Sequence, residues 1–209
     1  GAAHIPAAEI PAALASAADE LVALRAQLAR MPNDDRPEFR AIREAAQAHI
    51  DTGEFDKARA ALQRGRAAAR DLRRQADMAE AQFLSAEARV DLLEQRSVAA
   101  RDKFAEAANL NPDDCWLWFE LGDLWIDTGN SNEALAAYQQ GKAAAERSGD
   151  DRDLSVSHNK IGNVLVAQGN LTQALAAFRA SLDIRERLAK ADPQNAGWQR
   201  DLSVSHERI

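Results

Sequence analysis

The sequence predicts an all-α protein built from stacked pairs of antiparallel helices, and three observations lead to this class. Apolar residues recur three and four positions apart through most of the chain, which is typical of helices that bury one face. One pattern of apolar and small residues returns several times, as in repeat proteins. The six prolines lie in the N-terminal segment or between the proposed helices, so the helix interiors are free of this helix breaker.

The pattern is most complete in residues 115–148, which read as two amphipathic helices around a tight turn. Trp118, Leu121 and Trp125 form the apolar stripe of the first helix. Small residues at regular places allow the two helices to approach closely, and these are Gly122, Ala134 and Gly141. A pair of this size cannot bury its apolar face alone, so at least three pairs are expected to stack.

Three further segments repeat the pattern, namely residues 39–72, 77–112 and 153–190. Ala46, Ala88 and Gly162 take the place of Gly122 in these segments. In residues 77–112, three polar side chains stand where two apolar residues and a turn glycine are expected, and they are Glu87, Asp91 and Gln95. The pattern therefore defines the second helix of that segment better than the register of the first.

These segments resemble the tetratricopeptide repeat, whose pattern of W-L-G-Y followed by A-F-A-P they follow at the quoted positions. The resemblance implies a right-handed α-α superhelix of about four helical hairpins, with one extra helix at each end. Residues 1–36 are then a capping helix and a linker, and residues 37–209 form the repeat array, with a further repeat beginning within 193–209.

The six letters DLSVSH occur at residues 153–158 and again at 201–206. In the same register, Ser203 opens a further repeat that the sequence does not complete. We therefore expect a fragment of a longer protein, with Gly1 as an expression scar. Extended, near-identical repeats of this kind resemble those of large bacterial multidomain signalling proteins.

Composition narrows the class of protein further. The formal net charge is -7, the chain has one cysteine, and no long uncharged apolar run or secretion signal is present. These features predict a cytoplasmic protein that binds neither membranes nor nucleic acids. The arginine-rich residues 57–74 are read as a solvated helix face in preference to a phosphate or acidic-peptide site, because no aromatic residues interleave with the charges.

Two Asp-Thr-Gly triplets, at residues 51–53 and 127–129, resemble the paired aspartates of aspartic proteases. Each triplet follows a helical stripe, where glycine ends a helix by taking the left-handed conformation. We favour helix capping and keep an aspartic-type hydrolase as a remote alternative. The chain is predicted not to be an enzyme.

No cofactor or metal site is predicted. His49, His158 and His206 occupy places where the repeat has packing residues, and no second histidine or cysteine lies at ligand spacing. Phosphate-loop and nucleophile-elbow motifs are absent from the sequence.

The resemblance also implies a concave groove lined by the first helix of each pair. Carried onto this sequence, the peptide-binding residues are Arg43, Gln47, Arg89, Trp116, Phe119, Glu120, Asp123, Asn159, Lys160 and Asn163. Trp116 and Phe119 are expected to form an exposed aromatic pair beside carboxylates, which suits a peptide with apolar and basic side chains. Asn159, Lys160 and Asn163 partly match the family's clamp for a terminal carboxylate, but we do not assign that clamp.

The leading hypothesis is a non-catalytic protein-interaction scaffold that binds a peptide or helix of a partner in this groove. The alternative is a structural, sensor or self-assembly arm of a larger signalling protein, in which the groove has no ligand.

Overall fold

The computed structural model describes residues 9–30 and 36–206. These residues form nine α-helices and no strand, which confirms the predicted all-α class. The helices are α1 (Ile10–Arg30), α2 (Pro37–Asp51), α3 (Phe55–Leu93), α4 (Ser97–Leu110), α5 (Cys115–Asp127), α6 (Ser131–Ser148), α7 (Asp151–Ala167), α8 (Leu171–Ala191) and α9 (Ala196–His206). Within the described residues, no helix combines the length and the apolar character needed to cross a membrane.

The chain divides into two compact units, residues 1–74 and residues 75–209. In the first unit, a small core forms around Leu28, Ile50 and Ala58, with Leu21 and Leu62 packed against it. Arg25 of α1 pairs with Asp51 at the end of α2, at 2.7 Å. Residues 31–35, which belong to the predicted capping helix and linker, lie outside the described residues.

Helix α3 differs from the sequence prediction. We expected one repeat to end at residue 72 and the next to begin at residue 77, but the structure has a single helix, Phe55–Leu93. The stretch from Asp71 to Asp77 contains no glycine or proline, so nothing in its covalent structure ends the helix. The second helix of the first pair therefore runs directly into the first helix of the next.

The second unit consists of helix pairs stacked side by side. The end of α3 packs on α4 around Ala81, Ala88 and Phe104, α5 pairs with α6, and α7 pairs with α8. The core continues from pair to pair because α5 packs on α4, α7 on α6 and α9 on α8. Two apolar clusters fill it, one around Phe104 and Leu121, and one around Tyr138 and Phe178.

Small residues allow the paired helices to approach closely, as the sequence predicts. A Cβ atom on Gly122 would overlap the ring of Tyr138, and one on Gly162 would lie 2.5 Å from the ring of Phe178. Separations this short are not tolerated between carbon atoms. The aromatic ring of each second helix therefore occupies the space that the missing side chain leaves.

The turn inside each pair has the same geometry in all four copies. A residue with positive φ follows the first helix, and these residues are Gly53 at 75°, Gln95 at 60°, Gly129 at 78° and Gly169 at 76°. The next backbone N–H then donates back to the helix at 2.8 Å, as from Asn130 to the carbonyl of Trp125. Gln95 therefore takes the place in its turn that glycine takes in the other three, as its position in the repeat pattern predicts.

Candidate functional site

The first helices of the second unit present the candidate surface. We call it the first-helix face and define it by Arg89 of α3, by Trp116, Glu120, Asp123 and Ile126 of α5, and by Lys160, Asn163 and Val166 of α7. Ten residues were predicted for the groove, and six of them lie on this face. Arg43 and Gln47 belong to the first unit, where Gln47 donates to Asp51 at 3.0 Å.

A compact polar cluster joins three helices of this face. The Nζ atom of Lys160 lies 2.6 and 2.7 Å from the two carboxylate oxygens of Asp123, and the hydroxyl of Tyr138 donates to the same carboxylate at 2.5 Å. Lys160 also lies over the rings of Tyr138 and Phe119, at 5.2 and 5.8 Å from their centroids. Burial, followed by the hydrogen bond to Asp123, raises the pKa of Tyr138, so its hydroxyl stays protonated.

A second ion pair crosses the face between α3 and α5. Arg89 approaches Glu120 at 3.5 Å, and both side chains are substantially exposed. Exposed pairs of this kind contribute little stability. These pairs do affect the charges that the surface offers to a ligand, because Arg89 and Lys160 both use carboxylates of the protein itself as partners.

Phe119 is not part of an exposed aromatic pair, so that prediction is wrong. Its side chain is 1% exposed, and its ring occupies the space next to Gly141, where a Cβ atom would lie 2.6 Å away. Trp116 is 50% exposed and meets the edge of Phe119 in a T-shaped contact of 5.5 Å. Of the two rings, that of Trp116 is therefore the one that offers an aromatic surface to a ligand.

Asn159 is also buried, contrary to the groove prediction, with 7% of its surface exposed. In the amide orientation that satisfies both ends of its side chain, its oxygen accepts hydrogen bonds from Arg185 at 2.7 Å and from Ser181 at 3.1 Å. Asn159 therefore holds α7 against α8 and does not face a ligand.

The duplicated DLSVSH motif supplies internal contacts that the sequence reading did not foresee. Arg185 of α8 donates to Ser155 at 3.3 Å, in the first copy of the motif. It also donates to Ser205 at 2.8 Å and to the carbonyl oxygen of Asp201 at 2.9 Å, both in the second copy. The repeated serines thus join neighbouring helices, and the repetition itself was the signal that could have revealed them.

Two apolar side chains of the face were also missed. Ile126 is 41% exposed and Val166 is 47% exposed, and each is the last large apolar residue before its turn. Each lies three residues after Asp123 or Asn163 and so shares their side of the helix. The sequence signal that could have revealed them is that Ile126 and Val166 occupy equivalent places in α5 and α7.

The Asp-Thr-Gly triplets end helices. Asp51 is the last residue of α2 and Asp127 the last of α5. The hydroxyl of Thr128 donates to the carbonyls of Leu124 and Trp125 at 3.0 and 3.1 Å, and Thr52 makes the matching bonds at the end of α2. A protease site would need extended strands here, whereas these described residues form helix ends and turns.

Cys115 and the histidines have structural surroundings. Burial, with a hydrogen bond from its Sγ to Asp153 at 3.2 Å, raises the pKa of Cys115 to about 12, so it stays a thiol. His49 contacts Glu54 at 2.8 Å, and burial lowers the pKa of His158. The side chain of His206 lies outside the described residues. Across the part of the chain that the structure describes, no three histidine, cysteine or acidic residues are placed to hold a metal ion.

Stacked antiparallel helix pairs with this repeated turn define a helical-repeat protein. The model of the tetratricopeptide repeat family matches residues 113–187, which include the two pairs α5/α6 and α7/α8. Residues 113–187 are therefore similar to tetratricopeptide repeats. A comparison with curated proteins gives no significant match.

Solved structures with similar folds include BtubC from P. vanneervenii, with 16% sequence identity over 93% of this chain and 82% of that one, at a TM-score of 0.52. The N-terminal domain of stress-induced protein-1 from C. elegans is 12% identical and covers 63% of this chain and 98% of its own, at 0.49. The MamA protein is 18% identical, with 90% and 99% covered, at 0.47. At these identities, the similarity to BtubC concerns the fold alone.

Proposed function

We propose that the chain is a non-catalytic protein-interaction scaffold whose first-helix face binds a peptide or helix of another protein. The observation that carries this proposal is Trp116, a large aromatic side chain that stands half-exposed on a helix whose other aromatic residues pack inward. Tryptophan is among the residue types that are enriched at the energetic centres of protein interfaces.

The chemistry of the face specifies the kind of peptide. Trp116, Ile126 and Val166 offer apolar surface, and the exposed Asp127 adds a carboxylate at the end of α5. A ligand with an apolar side chain to pack on Trp116 and a basic side chain near Asp127 fits this surface, and the net charge of -7 favours it further.

A terminal-carboxylate clamp fits less well. Lys160 is bound to Asp123 through both carboxylate oxygens, and Arg89 approaches Glu120. An incoming carboxylate would therefore have to displace a carboxylate that is already in place. This favours ligands that are recognised through their side chains.

The test is a selection from a random displayed peptide library on the wild-type protein, followed by calorimetry with a selected peptide. We expect the Trp116→Ala variant to bind that peptide at least about tenfold more weakly, because truncating an aromatic anchor costs on the order of 2 kcal/mol. Leu171→Ala is the matched control, because Leu171 is exposed on α8 and lies outside the face.

Equal affinity for the wild type and Trp116→Ala, with unchanged helicity, would remove the face from the proposal. The internal pairing of the charges on the face favours one alternative, a structural arm without a groove ligand. A selection in which no peptide is enriched would support that alternative.

A further inference from the structure

The outer side of α3 carries an apolar stripe that the repeat core does not use. Between Gln75 and the end of the helix, one series of exposed apolar residues recurs at alternating spacings of three and four. Its members are Ala76, Ala79, Phe83, Ala86, Val90 and Leu93. The three large members are 73%, 52% and 85% exposed, in that order. This stripe has the spacing of a coiled-coil seam.

The same segment is buried on its other side. Ala81 and Ala88 are 1% and 0% exposed and pack on α4. The end of α3 is therefore apolar on two faces, although a helix that packs through one face normally exposes a polar face on the other side. A second partner for α3 explains the outer stripe.

The charges beside the stripe indicate what this partner is. One edge of the stripe is acidic and carries Glu80, Glu87 and Glu94. The other edge carries Gln75, Gln82 and Arg89. In a parallel pair of identical helices in register, the acidic edge of each helix meets the other edge of its partner. Arg89 then faces Glu94 of the second copy, which lies just past the end of α3 and pairs with Arg96 of its own chain. In an antiparallel pair of these segments, the acidic edge would meet itself.

From the exposed stripe and this asymmetric charge pattern, we infer that α3 pairs with α3 of a second copy of this chain, parallel and in register. Val90 and Leu93 fall at the two alternating seam positions, where a β-branched residue and leucine favour two strands. Arg89 is 67% exposed and its contact with Glu120 is long, at 3.5 Å, so its side chain can exchange Glu120 for an acidic partner on the second copy. The resulting dimer is isologous, with the same stripe on both sides.

Sedimentation velocity over a concentration series tests the pairing. We expect a monomer–dimer equilibrium for the wild type with a dissociation constant on the order of 10 µM, because the seam is only about five turns long. Phe83→Arg should weaken it by about a hundredfold or more, because it places two charges in the seam. Leu171→Arg is the control and should leave the dimer unchanged, because Leu171 is 64% exposed but lies on α8.

Cysteine cross-linking tests the orientation. Ala79→Cys and Val90→Cys should each form an intermolecular disulfide under mild oxidation, because in-register parallel helices bring both positions next to their own copies. An antiparallel pair can satisfy at most one of them, because the two positions lie about 16 Å apart along the helix. The wild type is the control, since its cysteine is buried.

A wild type that stays monomeric to about 1 mM, or a Phe83→Arg variant that still dimerises, would overturn the pairing. Circular dichroism of Phe83→Arg should match the wild type, because Phe83 is exposed. Cross-linking at one position or at neither would overturn the parallel register.

Discussion

At the scale of single residues, the polar residues that stand at apolar positions of the repeat pattern are the most informative about the structure. Asp91 stands where an apolar residue is expected, and its side chain is 3% exposed. The structure accounts for it by two ion pairs, with Lys103 at 2.8 Å and Arg96 at 2.6 Å. A buried carboxylate is tolerated only when it is paired in this way. Asp91 thus links α3 to α4 through charge where other repeats use an apolar contact.

The Asp91 ion pairs make part of the stability dependent on pH. The hydrogen bond from Lys103, followed by the charge of Arg96, lowers the pKa of the Asp91 carboxyl below its usual 3.8. The ionised form is therefore favoured in the folded state. Its contribution is complete above the pKa of the unfolded chain, about 3.9, and is lost as the pH falls through the lower folded pKa.

We accordingly expect Asp91→Asn to lower the free energy of unfolding at pH 7, and the difference from wild type to shrink as the pH falls below about 4. Urea denaturation over a pH series measures this. Asp102→Asn is the control, since Asp102 is 66% exposed and pairs only with its neighbour Arg101. A cost of Asp91→Asn that stays constant into acid would contradict the role of the ion pairs.

At the scale of helices and turns, the sequence predicted most of the second unit. The helices around Gly122 and Gly162 lie where expected, because the close packing of a glycine against an aromatic ring requires these two residue types at a regular spacing in the sequence. The continuous α3 could not be predicted in this way, because a repeat pattern shows where helices pair and not whether a connection is itself helical. Phe119 and Asn159 were predicted to line the groove but are buried. The same position of a repeat can turn toward the core or toward the surface according to its neighbours.

The turn after α3 provides a test of the repeat register. Gln95 adopts a φ of 60°, in the left-handed region that costs a residue with a Cβ atom about 1–2 kcal/mol. Gln95→Gly should therefore raise the free energy of unfolding by about 0.5–1 kcal/mol, the gain being reduced by the greater freedom of glycine in the unfolded chain.

Gly129→Ala is the reciprocal variant for this turn. A Cβ atom on Gly129 would meet nothing within 4 Å, so the change introduces only backbone strain and should lower stability by about 1 kcal/mol. Thermal and urea unfolding of the two variants beside the wild type measure both effects. A loss of stability in Gln95→Gly would show that the side chain of Gln95 has a role that the shared turn geometry does not require.

At the scale of the whole molecule, the two units differ in how much apolar surface they bury. Among the described residues, the core of the first unit centres on Leu28, Ile50 and Ala58. The second unit contains two larger clusters, in which the aromatic residues Phe104 and Phe119 are fully buried. Because buried apolar area is the main stabilising term, the free energy of local opening should differ between the units.

Native-state hydrogen exchange, followed by mass spectrometry, measures this difference. We expect amides of α2 to exchange at least about a hundredfold faster than those of α5 to α7, because a pair with neighbours on both sides opens only when two interfaces separate. Phe104→Ala supplies the comparison within the second unit. Removing this buried ring should cost about 3–5 kcal/mol and speed exchange most in α4 and the end of α3, which pack together around it. Equal protection of α2 and α6 in the wild type would mean that the two units share one cooperative transition, and that stability in this chain is not distributed according to the apolar surface buried by each pair.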